Sequence, residues 1–374
     1  MALLTDDQKM LQETAASFLR DEGGPSRQLR HWRDSGCTDG YGTDFWKQFA
    51  ELGLNGICIP ESHGGLGLGA TEAALVLEEI GRNLTPSPFL TTAVAGARAI
   101  DGTAHADRWF PQILSGDAVL ALAVDEGRRH RPEATAMTAT RQGNGFLLNG
   151  SKQFVVHGNS ADMVLVAART AGSPGETDGI TLFAVEKGAA AVDTATLADS
   201  SKASRLTFDN VAVDADAVVG DVDNGWVPLS RALGAGRAGA AAELVGVAAG
   251  ASEMTVDYLK QRKQFGKLIG EFQALQHRAA HLYGEIEIAR AAALKAAQAL
   301  DSGDERADLW VSVAKAKAVA SAGLAVQEGV QMHGGIGMTD EHDIGLYMKR
   351  EAVLSELFGD ERYHRARVAE LSGY

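Results

Sequence analysis

Apolar spacing changes twice along this chain, and that double switch limits the fold more than any other feature. Before about residue 116, segments such as DDQKMLQETAASFLR and ATEAALVLEEIGRNL carry apolar residues at helical spacing, with glycine-rich loops between them. From about 119 to 219 the pattern becomes short β-like runs, VLALAV, GFLLNG, KQFVV, MVLVAA, ITLFAV and RLTF, divided by Gly, Asn and Asp turns. Beyond residue 225 helical spacing returns and is sustained: Leu275, Ala279, Leu282, Ile286, Ala289 and Ala293 alternate steps of four and three, as a bundle helix requires. The order predicts a mainly α member of the α+β class. An N-terminal helical domain occupies 1–116, an antiparallel β-barrel domain 117–222, and a four-helix-type bundle 223–374. A chain of 374 residues also exceeds what one hydrophobic core usually supports.

Charge and cysteine usage exclude several classes of function. A net charge of −14 with no dominant basic face argues against nucleic acid as a partner. Cys37 and Cys58 form no CxxC pair, and two cysteines in so long a chain suggest a reducing, cytoplasmic setting. The opening MALLTDDQKML lacks a basic region followed by an apolar stretch, so no secretory signal is expected. The small-residue run at 234–252 is broken by Arg237 and Glu243 and makes a poor membrane span. Neither an HExxH nor a paired-cysteine pattern is present, so no metal is expected, and His333, His342 and His364 read as loop or surface residues. Without a G-x-S-x-G elbow a hydrolase has little support.

Two segments carry chemistry. Residues 258–278, YLKQRKQFGKLIGEFQALQHR, set the planar donor fork of Arg262 beside the apolar face of Phe265, with Gly266 and Gly270 leaving room for backbone to approach a ligand. Residues 331–343, QMHGGIGMTDEHD, place Gly334, Gly335 and Gly337 at the end of a long helical run, with Gln331 and His333 beside them. Each segment alone also reads as turn glycines and a solvated arginine; together they suit a large, flat, phosphate-bearing ligand. A dinucleotide loop at Gly65, Gly67 and Gly69 is a weaker reading, because the ICIP run before it is short and no βαβ unit follows.

The pair of segments, and the order helices, sheet, helices over essentially the whole chain, resemble the acyl-CoA dehydrogenase family of flavoproteins. The stretch LGLNGICIPESHGGLGLGATEAALVLEEIGRNL is similar to that family's Pro-Glu pair, glycine-rich loop and helix. The resemblance implies FAD as cofactor, an acyl-CoA thioester as substrate and an electron-transfer flavoprotein as acceptor. It further implies a homo- or hetero-oligomer in which one protomer cradles the flavin ring and its neighbour grips the ADP half. A base removes the α-proton while hydride leaves for the flavin. The family's R-x-x-F-G and Q-x-x-G-G elements fall on Arg262, Phe265, Gln331, Gly334 and Gly335, with Gln264 nearby.

The other half of the family pattern is altered. In register from Gln331, the position of the usual catalytic glutamate is Phe358, followed by Gly359 and Asp360. The alternative base position, before the arginine that corresponds to Arg237, is Gly236; Arg237 itself is carried as a substrate contact. In the sheet region AVDEGRRHR puts Asp125 in the place of a flavin-binding threonine. Arg128, Arg129, His130 and Arg131 replace small residues there, a run that reads first as a solvated loop. Phe154 and Val156 stand where Trp and Thr meet the ring, leaving Phe154 as the aromatic cofactor contact. Among remaining carboxylates, Glu243 lies on the helical face of Gly236 within small residues and is the candidate displaced base, its alternative being an ion pair with a neighbouring helix. Glu356 and Asp360 flank the missing glutamate.

Three readings follow. The chain is an acyl-CoA dehydrogenase with a displaced base, or a non-catalytic partner subunit that completes another chain's FAD site, or a related flavin oxidase or monooxygenase. The QFG and HGGIGMT segments resemble the smaller subunits of bacterial unlike-pair acyl-CoA dehydrogenases.

Overall fold

The computed structural model describes residues 4–374. In chain order, helices α1 (Asp6–Glu22), α2 (Leu29–Asp34), α3 (Thr43–Glu51), α4 (Ala70–Arg82), α5 (Ala97–Ile100) and α6 (His105–Leu114) come first. Strands β1 (Leu120–Ala123), β2 (Thr138–Gln142), β3 (Gly145–Val156), β4 (Met163–Arg169), β5 (Ile180–Glu186), β6 (Ala191–Thr196), β7 (Lys202–Asp214) and β8 (Val218–Val219) follow. Then come α7 (Trp226–Gln261), the short strands β9 (Lys263–Gln264) and β10 (Lys267–Leu268), and helices α8 (Gln273–Ser302), α9 (Ala307–His333), α10 (Ile344–Glu356) and α11 (Glu361–Leu371). Two compact units result, one of residues 1–31, 70–86 and 237–374, the other of 32–69 and 87–236.

In the second unit the sheet runs β6-β7-β3-β2-β4-β5-β8, with β1 added beside β4. It is an open sheet, which corrects the expected barrel, and it is not purely antiparallel: β1 and β2 both pair β4 in parallel. The physical reason lies at its ends. All six residues of β6 are exposed and β8 has only two, so neither edge offers a partner for closure. Every residue of β4 is buried, as its unbroken run MVLVAAR requires of a central strand covered on both faces. Ala121, Leu148, Val166, Phe183 and Leu206 lie in the core on this sheet.

In the first unit α9 has α8, α10 and α11 packed against it. By length and composition α9 passes for a membrane span, yet Ser312 and Lys315 on it are buried. Helix α4 meets α7 at backbone distance. A Cβ added at Gly246 would lie 1.9 Å from the Glu78 carbonyl oxygen, and one at Gly81 would lie 2.1 Å from that of Glu243. The crossing is laced by Arg82, which reaches Glu78, Glu79 and Glu253, and Arg290 of α8 ties to α4 as well, reaching Glu78 at 2.9 Å. Burial pushes the Glu79 carboxyl up, against the lowering influence of Arg82.

Candidate functional site

The first candidate segment folds as a hairpin. Lys263 and Gln264 pair with Leu268 and Lys267, and the two residues between them, Phe265 (φ 53°) and Gly266 (φ 81°), both take positive φ. Two successive positive φ values are what a two-residue type I′ turn demands. Glycine meets that demand freely; phenylalanine adopts it at a cost of about 1–2 kcal/mol. Its ring points into solvent, 91% exposed, with its centroid 6.2 Å from that of Phe272 in an edge-on arrangement. Arg262 and Gln264 are exposed as well, and the Arg262 guanidinium has no ion-pair partner among the described residues.

The second segment is brought to the same place. Leu259, Ile269 and Met332 form one small apolar cluster, with Tyr258, Phe272 and Leu275 packed on it. Tyr258 stacks on His333 at 4.5 Å, and His333 in turn lies 4.4 Å from His342. His333 is therefore buried, against the expectation of a surface residue. Its Nδ1 donates to the Gly329 carbonyl at 2.7 Å, and burial pushes its pKa down. Gln331, Gly334 and Gly335 remain exposed beside this stack, and a Cβ at Gly334 or Gly335 would meet nothing within 4 Å. An exposed cation, an exposed aromatic face and an open glycine turn thus share one surface, which fits a nucleotide diphosphate.

Around Phe358 most polar groups are engaged within the chain. Phe358 is buried with φ 60°, at the break between α10 and α11. Three carbonyls there converge on the fully buried Lys315: its Nζ donates to Leu354 at 3.0 Å, Ser355 at 3.1 Å and Gly359 at 3.1 Å. Three acceptors match the three protons of an ammonium, while burial pushes its pKa down to about 7. His364 Nε2 donates to the Phe358 carbonyl at 3.2 Å, and the Asp360 carboxylate caps α11 by accepting from Tyr363 N at 2.7 Å. Glu356 is exposed. Glu243, whose side chain is 2% exposed, accepts from Arg350 Nε at 3.0 Å and Nη2 at 2.5 Å. The structure therefore gives it the ion-pair arrangement. Arg237 is also engaged, donating from Nη2 to the Tyr363 hydroxyl at 2.8 Å with its guanidinium over that ring.

In the other unit, the loop between β1 and β2 turns its carboxylates inward. Asp125 bonds His130 Nδ1 at 2.9 Å and the Arg131 amide at 3.2 Å. Glu126 accepts from the Ala136 and Met137 amides and, at 2.7 Å, from the fully buried Lys152, which also donates to the Val124 carbonyl at 2.9 Å. Phe154 is half-buried at a bulge in β3, with φ 54°. Three phenylalanines at candidate positions, Phe154, Phe265 and Phe358, thus occupy the left-handed region. Sequence reading missed Lys152 and Lys315, both fully buried; Lys315, set among alanines and valines, offered a signal, whereas Lys152, between Ser151 and Gln153, did not.

Comparisons with known proteins agree across the whole chain. Residues 5–117 match the family described as acyl-CoA dehydrogenase, N-terminal domain, residues 124–211 its middle domain, and residues 223–372 its C-terminal domain. The chain is similar to the acyl-CoA dehydrogenase IpdE2 of Mycobacterium tuberculosis, 32% identical with 96% of this chain and 94% of that one covered. Among solved structures it resembles a variant of the Tcur3481-Tcur3483 steroid ACAD, with 30% identity, a TM-score of 0.88 and 98% of each chain covered. It also resembles the ChsE4-ChsE5 complex from Mycobacterium tuberculosis, with 25% identity, a TM-score of 0.88 and coverage of 100% and 99%.

Proposed function

The chain belongs to the acyl-CoA dehydrogenase family of FAD-dependent oxidoreductases, and from that premise we propose that it works as one subunit of an unlike pair, lending its ADP grip to FAD held by a partner that supplies the base. The observation that carries the reading is the hairpin tip. Arg262 and Phe265 stand in solvent on a strained turn, which has no use within the chain and suits capture of a ligand from outside it. Gln264, Gln331, Gly334 and Gly335 complete that grip. When bound, FAD supplies the hydride acceptor for α,β-dehydrogenation of an acyl-CoA. On this chain two of the three candidate carboxylates are otherwise committed, Glu243 to Arg350 and Asp360 to the α11 cap, and the third, Glu356, is exposed.

The likeness to the ChsE4-ChsE5 complex supports an unlike pair. The likeness to a steroid ACAD makes a steroid-derived acyl-CoA the first thioester to test. The proposal keeps the division at 1–116, 117–222 and 223–374, an electron-transfer flavoprotein as acceptor and a cytoplasmic location. Its test is FAD per chain, measured with this chain alone and after co-expression with a family member that carries the glutamate. The lone chain should hold less than one FAD and fail to bleach with acyl-CoA under anaerobic conditions, whereas the pair should retain FAD and bleach. A homo-oligomer with stoichiometric FAD that bleaches would overturn the subunit reading.

A further inference from the structure

Of the ten histidines, all but two are bonded or stacked within the chain, as His63 is on Asp107, His130 on Asp125 and His364 on the Phe358 carbonyl. The two exceptions, His277 and His281, stand four residues apart on α8. Both rings are exposed, and neither has a hydrogen bond among the described residues. His281 Nε2 has the Glu285 Oε1 at 4.0 Å, beyond hydrogen-bond reach. A step of four residues returns to the same helix face with Cβ atoms about 5–6 Å apart, so the two imidazoles can turn toward one another.

The segment HRAAH has the histidine spacing of the HExxH zinc element but carries Arg278 in the place of its glutamate. That glutamate is the general base of a hydrolase, so the metal-binding spacing is present here without the hydrolytic chemistry. Arg278 is turned toward α9, where it donates to Glu328 at 2.6 Å. The helix beneath the pair is held in place. Leu282, next to His281, is buried; Ser321 of α9 donates to the Glu285 carbonyl at 3.1 Å, and Lys317 of α9 bonds the Glu285 carboxylate. The two rings thus project from a fixed turn, and binding an ion would cost them side-chain freedom alone. Their outer side is open: Ala280 is exposed, and a Cβ at Gly284 would meet nothing within 4 Å. No group of three His, Cys, Asp or Glu able to hold a metal ion occurs among the described residues, so the pair offers two ligands and leaves the other coordination positions to water.

From this placement we infer that His277 and His281 form a two-imidazole site for a first-row divalent transition-metal ion. Ring nitrogens favour Cu²⁺, Ni²⁺ and Zn²⁺, with copper the tightest, over Mg²⁺ and Ca²⁺, which take oxygen ligands. The bound ion joins successive turns of α8 through the two side chains. The inference is independent of the subunit reading, because neither histidine belongs to the ADP grip.

The test uses the untagged full-length chain, stripped of metal with a chelator and titrated calorimetrically with zinc chloride. Zn²⁺ should bind one per chain. His277→Ala and His281→Ala should each weaken it at least about tenfold, since losing even a group that supports a metal ligand costs about 10–100-fold. Both sites are exposed, so the fold should persist, and circular dichroism checks it. With copper chloride in place of zinc, electron paramagnetic resonance should show two nitrogen ligands in the wild type and one in each variant. Excess Mg²⁺ should not displace the zinc. No binding by the wild type, binding that survives either substitution, or displacement by Mg²⁺ would overturn the site.

Discussion

Replacing Glu243 decides between a displaced base and a structural ion pair, because the two roles predict opposite readouts. Its carboxylate receives two N–H groups of Arg350, at 3.0 and 2.5 Å, and the two side chains are 2% and 20% exposed. Helix α4 also packs on the Glu243 backbone, since a Cβ at Gly81 would come within 2.1 Å of its carbonyl oxygen. That crowding leaves no room on this side for a thioester. Glu243→Gln keeps an acceptor but loses the charge, a loss of about 2 kcal/mol for hydrogen bonds to a charged group. Arg350→Met removes the guanidinium from a carboxylate that water barely reaches, and should cost about 3–5 kcal/mol. The double variant should cost less than the sum by about 1–3 kcal/mol, because contacting residues couple. Thermal unfolding of the four proteins followed by fluorescence gives the cycle. In the co-expressed pair, Glu243→Gln should bleach as well as the wild type per folded molecule. Unchanged thermal stability together with abolished bleaching would refute the structural reading and make Glu243 the base.

Other outcomes follow from single contacts. Arg262→Ala should lower FAD retained by the assembled pair while leaving the chain's melting temperature unchanged, and flavin absorbance per protein together with a thermal melt checks both. Phe265→Ala should do the same without loss of stability, since its ring is 91% exposed and its backbone strained. Gly246→Ala should destabilise by roughly 2 kcal/mol even though alanine favours helix, because its Cβ would sit 1.9 Å from the Glu78 carbonyl oxygen and force α4 and α7 apart; denaturant midpoints measure it. For Lys315 the folded pKa, about 7, lies below the unfolded value near 10.5. Between those values the unfolded chain holds the extra proton, so this group's contribution to stability grows as pH rises from about 7 to 10.5. Lys315→Met should melt lower throughout and show a flatter dependence on pH across that window.

What the sequence disclosed and what it withheld divide along the range of the forces involved. Helical and strand periodicity report which face of a local segment is buried, so the order of helices, sheet and helices was legible from spacing alone. Closure of the sheet was not, because it depends on whether the edge strands β6 and β8 pair with each other, and the exposure of β6 is invisible in AVDTAT. The hairpin at Arg262 was legible as a glycine-bearing turn, since QFGK already holds the turn chemistry. Its outward aim was not, because aim depends on the cluster of Leu259, Ile269 and Met332, which joins residues from well-separated parts of the chain. The absent base could be counted from Gln331 to Phe358, but the fate of the remaining carboxylates needed partners: Arg350 for Glu243, the Tyr363 amide for Asp360, and Lys152 for Glu126. Each is a long-range or side-chain choice that periodicity does not encode. The same argument explains why RRHR read as a solvated loop. A run of arginines is ordinarily neutralised by nearby acids, and DEGRRHR supplies Asp125 and Glu126; only their inward bonds, to His130 and Lys152, leave the three guanidiniums facing a cavity.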